Sequence, residues 1–253
     1  MRRVLLGTAF ALLACGGGGE QAAGGGAGGG MAEAQGPMGG ANVVGVVNFR
    51  GTPPVNPAID MSEVASCAAA YEGQPRDPQV VVAAGKLANV FVYVKSGLPA
   101  DAKYTPPSTP VVLDQEHCLY HPRVFGVMVG QTVEIRNSDA LMHNIKSVPT
   151  EQRGFNISQP TAGMTTPRTF STPEVMVPFE CNVHGWMKAY AGVTAHPFYD
   201  TSGEDGGFTL ARLPAGTYEI EAWHERFGTQ TQTVTVPETG EVTVEFTFSA
   251  GTS

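Results

Sequence analysis

From residue 43 onward the dominant pattern is alternation of apolar and polar positions broken by Gly and Pro, and a period of two marks strands with one buried face. The clearest run is 241–248, where Val242, Val244, Phe246 and Phe248 share one face and Glu and Thr occupy the other. Residues 43–49, 90–95, 124–129, 132–137, 175–180, 190–194, 218–223 and 231–236 also read as strands. A single helix is expected at 61–71, with Asp60 as N-cap and Glu63 three residues on. No internal repeat is evident, and the expected fold class is all-β.

Before residue 41 the alternation vanishes. Residues 15–40 are mostly Gly and Ala after the first cysteine, with too few side chains to offset ordering entropy, so the composition predicts a tether. Met1-Arg2-Arg3 and the apolar run 4–13 have the layout of a secretory signal and are too short to span a bilayer as a helix. Leu12-Leu13-Ala14-Cys15 resembles a bacterial lipoprotein signal, which implies cleavage after residue 14 and lipidation of Cys15; a plain signal peptide is the alternative. The resemblance places the protein in a bacterial cell envelope, periplasm-facing or at the surface. Gly16, where an aspartate would mean inner-membrane retention, points to the outer membrane.

With 253 residues and 42% hydrophobic positions, the chain has material for one large core or two small ones. Its formal charge of -8 becomes -10 once residues 1–14, with two arginines and no acid, are removed. An acidic protein does not suit nucleic acid, whose phosphates demand a basic surface. Four cysteines in an oxidising compartment need separate explanations. With Cys15 lipidated, three remain; the preferred pairing is Cys67 with Cys118, leaving Cys181 as a special thiol.

Cys181-Asn182-Val183-His184-Gly185-Trp186-Met187 directly follows the apolar strand 175–180 and offers a thiol, an imidazole and a thioether in seven residues. Copper held by a thiolate favours two imidazoles and one cysteinate near a plane, with a weak thioether along the axis. A second imidazole stands just past another strand end, at His143 in Asn137-Ser138-Asp139-Ala140-Leu141-Met142-His143-Asn144. Singly, His143, Cys181 and Met187 read as strand-end, buried-thiol and packing residues; jointly, at this spacing, they describe a copper centre. In Glu116-His117-Cys118-Leu119-Tyr120-His121 a second metal site at His117 and His121 is the alternative to a disulfide at Cys118. His196 and His224 read as surface or packing residues.

These residues resemble the cupredoxin family, most closely its amicyanin branch, which shares the Cys-x-x-His-x-x-Met spacing; plastocyanins have a longer gap before the methionine. The likeness runs from about Thr109 to His196 and includes Val129-Gly130-Gln131-Thr132-Val133-Glu134-Ile135. It implies a Greek-key β-sandwich holding one type 1 copper, with His143, Cys181 and His184 as equatorial ligands and Met187 as the axial one. It further implies that Asn144 hydrogen-bonds to the cysteine loop, and that the His184 edge reaches the surface as the electron exit amid Gly185, Trp186 and Met142.

Residues 201–223 resemble the latter half of a carboxypeptidase-regulatory-like, prealbumin-like β-sandwich, and the stretches 45–54 and 90–95 look like its first half. The expected organisation is a signal at 1–14, a tether at 15–40, a discontinuous sandwich from 41–108 with 197–250, and an inserted cupredoxin domain at 109–196; an enlarged cupredoxin at 41–196 is the tandem alternative. The expected function is single-electron transfer through copper, with no enzymatic activity, as a monomer exchanging electrons with a redox protein such as a c-type cytochrome or a dehydrogenase. The membrane would be touched only through the lipid. Copper delivery and a structural envelope role are the competing readings.

Overall fold

The computed structural model describes residues 34–251. The signal, Cys15 and most of the expected tether lie outside the described residues. No described helix is long and apolar enough to cross a membrane.

Among the described residues, four sheets form two sandwiches. In the first, Gly40–Arg50 lies between Gly207–Leu213, antiparallel, and Thr239–Ser249, parallel, with the short Lys86–Leu87 and Val82–Ala83 beyond. The facing sheet has the order Tyr199–Thr201, Phe91–Ser96, Gly216–His224, Gly228–Val236. Val43, Val47, Leu210 and Phe246 meet Val92, Ile220, Ala222 and Val236 in one core. In the second sandwich, Asn156–Gln159, His143–Ser147, Glu174–Glu180, Lys188–Thr194 and Val124–Met128 form one sheet. The other runs Thr165–Arg168, Val133–Asn137, Val111–Glu116, Leu119–His121. Phe125, Ile145, Val177 and Phe179 here face Leu113, Val133 and Ile135. The first core thus draws on both ends of the described chain and the second on its middle.

Phe91–Ser96 shows why one apolar run lacks alternation. Val92 and Val94 fill their own sandwich while Phe91 and Tyr93 point into the junction with the other, so both faces are buried. The junction has a specific shape: Gly126 and Gly192 are cross-strand partners in the second sandwich. A Cβ on Gly126 would sit 2.2 Å from the Tyr199 ring, and one on Gly192 2.2 Å from the Phe91 ring. Two aromatic rings therefore occupy a hollow that only paired glycines leave open. Beside it, buried Arg123 pairs with Asp77 at 2.6 Å and with Glu225 on the turn after Gly216–His224.

Three expectations change. The helix shrinks to the single turn Ala65–Ala68, and Asp60 accepts the Ser62 N–H at 3.0 Å instead of capping a helix. A disulfide at Cys67 and the burial of Ile59 and Met61 order this segment without a long helix. The end of the expected tether is docked: Gln35 and Thr105 exchange backbone hydrogen bonds, and the Gly39 N–H donates to Arg212 O at 2.7 Å. A side chain on Gly39 would meet Leu213 O at 2.3 Å, so here glycine permits close backbone approach. Finally, Asn156–Gln159 and Thr165–Arg168, absent from the alternation analysis, are sheet-edge strands whose half-exposed, Pro-containing or polar residues carry little pattern.

Two measurements follow from this architecture. Gly192→Ala should destabilise by roughly 1–3 kcal/mol through overpacking against Phe91, read as a lower thermal midpoint, whereas alanine at exposed Gly185, where a Cβ meets open space, should cost less. His224 is 1% exposed and stacks on Phe227; burial, then the charges of Arg123 and Arg226, push its pKa down to about 4. Because the unfolded chain takes up that proton first, stability should be full above an ordinary histidine pKa of about 6.5 and fall as pH drops towards 4. Denaturant titrations across that window should show a shallower slope in His224→Phe.

Candidate metal centre

The site lies at one end of the second sandwich, where the strand Glu174–Glu180 runs into the loop carrying Cys181 and His184 and the strand His143–Ser147 begins. A buried amide shapes the approach to His143. Asn137 donates to Leu141 O at 2.9 Å and Gln159 O at 3.0 Å, and its Oδ1 accepts the Asp139 N–H at 3.0 Å. The five residues between Asn137 and His143 are thus folded back as a compact turn. In the second loop, the His184 N–H donates to Cys181 Sγ at 3.3 Å and the Met187 N–H to His184 O at 2.9 Å. One tight turn therefore presents thiol and imidazole together.

The donor atoms converge. His143 Nδ1 and His184 Nδ1 are 3.0 Å apart, Cys181 Sγ is 3.8 Å from His184 Nδ1, and all three lie within 4.8 Å of one another. His143 and His184 are 0% and 1% exposed, and Cys181 is the free cysteine of the described residues. Met187 is fully buried in the same cluster as Cys181. Burial opposes ionisation of Cys181, but hydrogen bonds from the His143 and His184 rings and from the His184 and Asn144 backbone outweigh it and hold the thiol at about 5. Burial likewise opposes charge on His143, but Cys181 and then Asp139 overcome it and raise its pKa.

Around the donors sits a set of orienting contacts. Asn144 Oδ1 accepts the Asn182 N–H at 3.1 Å, joining the two loops, while its Nδ2 donates to Ile157 O at 2.9 Å. The Tyr120 hydroxyl donates to Asn144 O at 2.6 Å. Asp139 Oδ2 lies 2.7 Å from His143 Nε2, which directs the opposite ring nitrogen, Nδ1, at the other donors. Sequence reasoning missed Asp139; the available signal was a carboxylate four residues before a ligand-type histidine.

His184 differs from expectation. Its imidazole is buried, with Trp186 at a centroid distance of 5.2 Å, and does not reach the surface as an exit. The exposed apolar residues here are Met142 and Val183, each 47% exposed and each adjacent to a donor residue. Cys67 and Cys118 form a disulfide, so Cys118 is no metal donor. His117 and His121 are exposed and belong to no cluster of potential metal donors among the described residues.

Residues 188–249 match the family model of the carboxypeptidase regulatory-like domain. The first strand of that stretch, Lys188–Thr194, pairs within the sheet of the metal site; the remainder builds the other sandwich. No curated protein matches the chain. Among solved structures the chain is similar to a copper-containing nitrite reductase from Thermus scotoductus SA-01, at 23% identity and TM-score 0.30 over 39% of this chain. It spans a quarter of that enzyme's length, 25%. It is also similar to a purple cupredoxin from Nitrosopumilus maritimus, at 21% identity and TM-score 0.29 over 34% of this chain and 99% of the other. A Cu(I) amicyanin variant matches at 20% identity and TM-score 0.30 over 40% of this chain and 97% of its own.

The depressed Cys181 pKa predicts thiolate absorbance in the metal-free protein at neutral pH, lost as pH falls through about 5. Cys181→Ser should remove it, and an ultraviolet pH titration checks both.

Proposed function

We propose that the protein is a single-electron carrier of the bacterial cell envelope, using one copper held by His143, Cys181 and His184 with Met187 as a weak axial partner. The observation that carries this reading is the buried convergence of two imidazole Nδ1 atoms and the Cys181 sulfur, all within 4.8 Å of one another. Two imidazoles and one thiolate are a donor set suited to copper, and binding the metal would displace the protons these groups carry. Bound there, copper would supply the Cu(I)/Cu(II) couple.

The protein's own residues do the rest. Asp139 holds the His143 ring, Asn144 ties the two ligand loops together, and the surrounding core of Phe179, Met187 and Ala189 excludes water from the sulfur. Rigid donors keep structural rearrangement small on electron gain and loss, as a carrier needs. Burial of both imidazoles also disfavours the ligand-by-ligand hand-off that copper delivery would require. The exposed Met142 and Val183 suit brief contact with a redox protein such as a c-type cytochrome or a dehydrogenase, because small interfaces release quickly. The reading includes export, lipidation at Cys15, a monomeric state, and no catalysis by the protein itself.

Purified full-length protein given Cu(II) should show an intense visible thiolate-to-copper band at one copper per chain, and Cys181→Ser should abolish it. Met187→Gln should lower the reduction potential while one copper stays bound, because an amide oxygen favours Cu(II) and the other three ligands supply most of the affinity. A band that survives in the serine variant, or wholesale loss of copper from Met187→Gln without a shift in voltammetry, defeats the carrier reading.

A further inference from the structure

The two histidine donors come from loops far apart in sequence, yet both are tied to one covalent feature outside the metal site. Residues 59–71 carry Ile59, Met61, Val64, Cys67, Ala68 and Tyr71, and these pack with Cys118, Leu119, Leu141 and Trp186 in a small core of their own. The segment thus covers the metal end of the second sandwich, although the chain on either side of it serves the first. The Cys67–Cys118 bridge, across 51 residues of sequence, pins it there, and the Tyr71 hydroxyl adds a hydrogen bond to His117 O at 2.7 Å.

From this cap two arms reach the imidazoles. Cys118 O accepts the Trp186 indole N–H at 2.9 Å, and the other side of that indole lies against the His184 ring. The turn His117–Cys118, both residues in the left-handed backbone region, directs its two N–H groups at Asp139. His117 N donates to Oδ1 and Cys118 N to Oδ2, each at 2.8 Å. Asp139 Oδ2 in turn pairs with His143 Nε2. One disulfide-held turn therefore fixes Trp186 over one imidazole and the carboxylate behind the other.

We propose that the Cys67–Cys118 cap is a positioning clamp, which sets both histidine donors at once and seals His184 from solvent. Its arms are separable: Trp186 governs His184, and Asp139 governs His143. The proposal rests on the donor set described above, but its consequences are visible without copper. A clamp of this kind makes metal exchange slow and confines approach by a redox partner to the uncapped Met142 and Val183 side.

The test is carbethoxylation of the metal-free full-length protein by diethyl pyrocarbonate, with each histidine followed by peptide mass mapping. Exposed His117 and His121 serve as reactive references, and buried His224 in the other sandwich reports general unfolding. In the parent, His143 and His184 should react slowly. Cys67→Ser/Cys118→Ser should remove that protection from both, bringing their rates towards those of His117 and His121, with His224 unchanged. Trp186→Leu should release His184 alone, and Asp139→Asn should release His143 alone. Should the double serine variant also lose His224 protection, the two single variants decide, because they keep the disulfide. Parental protection of His184 in Trp186→Leu and of His143 in Asp139→Asn overturns the clamp, as does parental protection of both in a folded double serine variant. A protein that never takes up copper refutes the carrier function while this readout still judges the clamp. In copper-loaded samples, the serine variant should also lose metal to a Cu(I) chelator about tenfold faster than the parent.

Discussion

A sulfur buried at the edge of an apolar core, with two buried imidazoles converging on it, is the constraint on which this molecule turns. Burying an unpaired charge costs far more than a domain's whole stability margin, so Cys181 must be surrounded by donors or remain a neutral thiol. The structure supplies them from two loops: the His143 and His184 rings, the His184 N–H, and the Asn144 backbone. Each donor then needs its own support, which accounts for Asp139 behind His143, Asn144 bridging to Asn182, and Trp186 against His184. The same requirement explains the cap. A sandwich end open to water would let solvent compete for every one of these contacts, and residues 59–71 with their disulfide close it.

The second sandwich is linked to its neighbour by shape as much as by charge. Phe91 and Tyr199 occupy the hollow over Gly126 and Gly192, and the Arg123 ion pairs with Asp77 and Glu225 lie alongside. A buried ion pair adds little net stability against its desolvation cost, but losing one partner leaves an uncompensated buried charge. The strands lining this hollow are Val124–Met128 and Lys188–Thr194, and the latter starts immediately after Met187. The residue that follows the ligand loop is thus held by the sheet that receives the neighbouring sandwich. That arrangement places both the junction and the candidate metal centre on one strand.

How much of this was legible before any tertiary contact is known follows from the range of each interaction. Period-two alternation identifies long strands such as Gly40–Arg50 and the edge strand Thr239–Ser249, because each buries one face and their residues alternate accordingly. Asn156–Gln159 and Thr165–Arg168 escaped because their polar or Pro-containing residues carry little contrast, and the inner strands Val111–Glu116 and His143–Ser147 escaped because they bury the polar residues Gln115, His143, Asn144 and Ser147. Cys181, His184 and Met187 stand out because one loop holds them all, and the thiol, imidazole and thioether chemistry is local to seven residues. The expected long helix failed for the opposite reason. A disulfide and a small core order residues 59–71, and neither is visible to helical periodicity.

What the sequence by itself determined is therefore the all-β class, the strands that alternate apolar with polar residues, and the presence of a sulfur and imidazole loop directly after a strand. Only the tertiary structure decided that His143, 41 residues from His184, meets it at 3.0 Å, that Asp139 stands behind it, and that His184 is covered instead of exposed. It alone also decided that Gly126 and Gly192 face each other to receive two aromatic rings. The physical reason is the same throughout. Strand pattern and loop chemistry arise between residues adjacent in the chain, whereas burial and donor convergence depend on which distant segments the packed cores bring together.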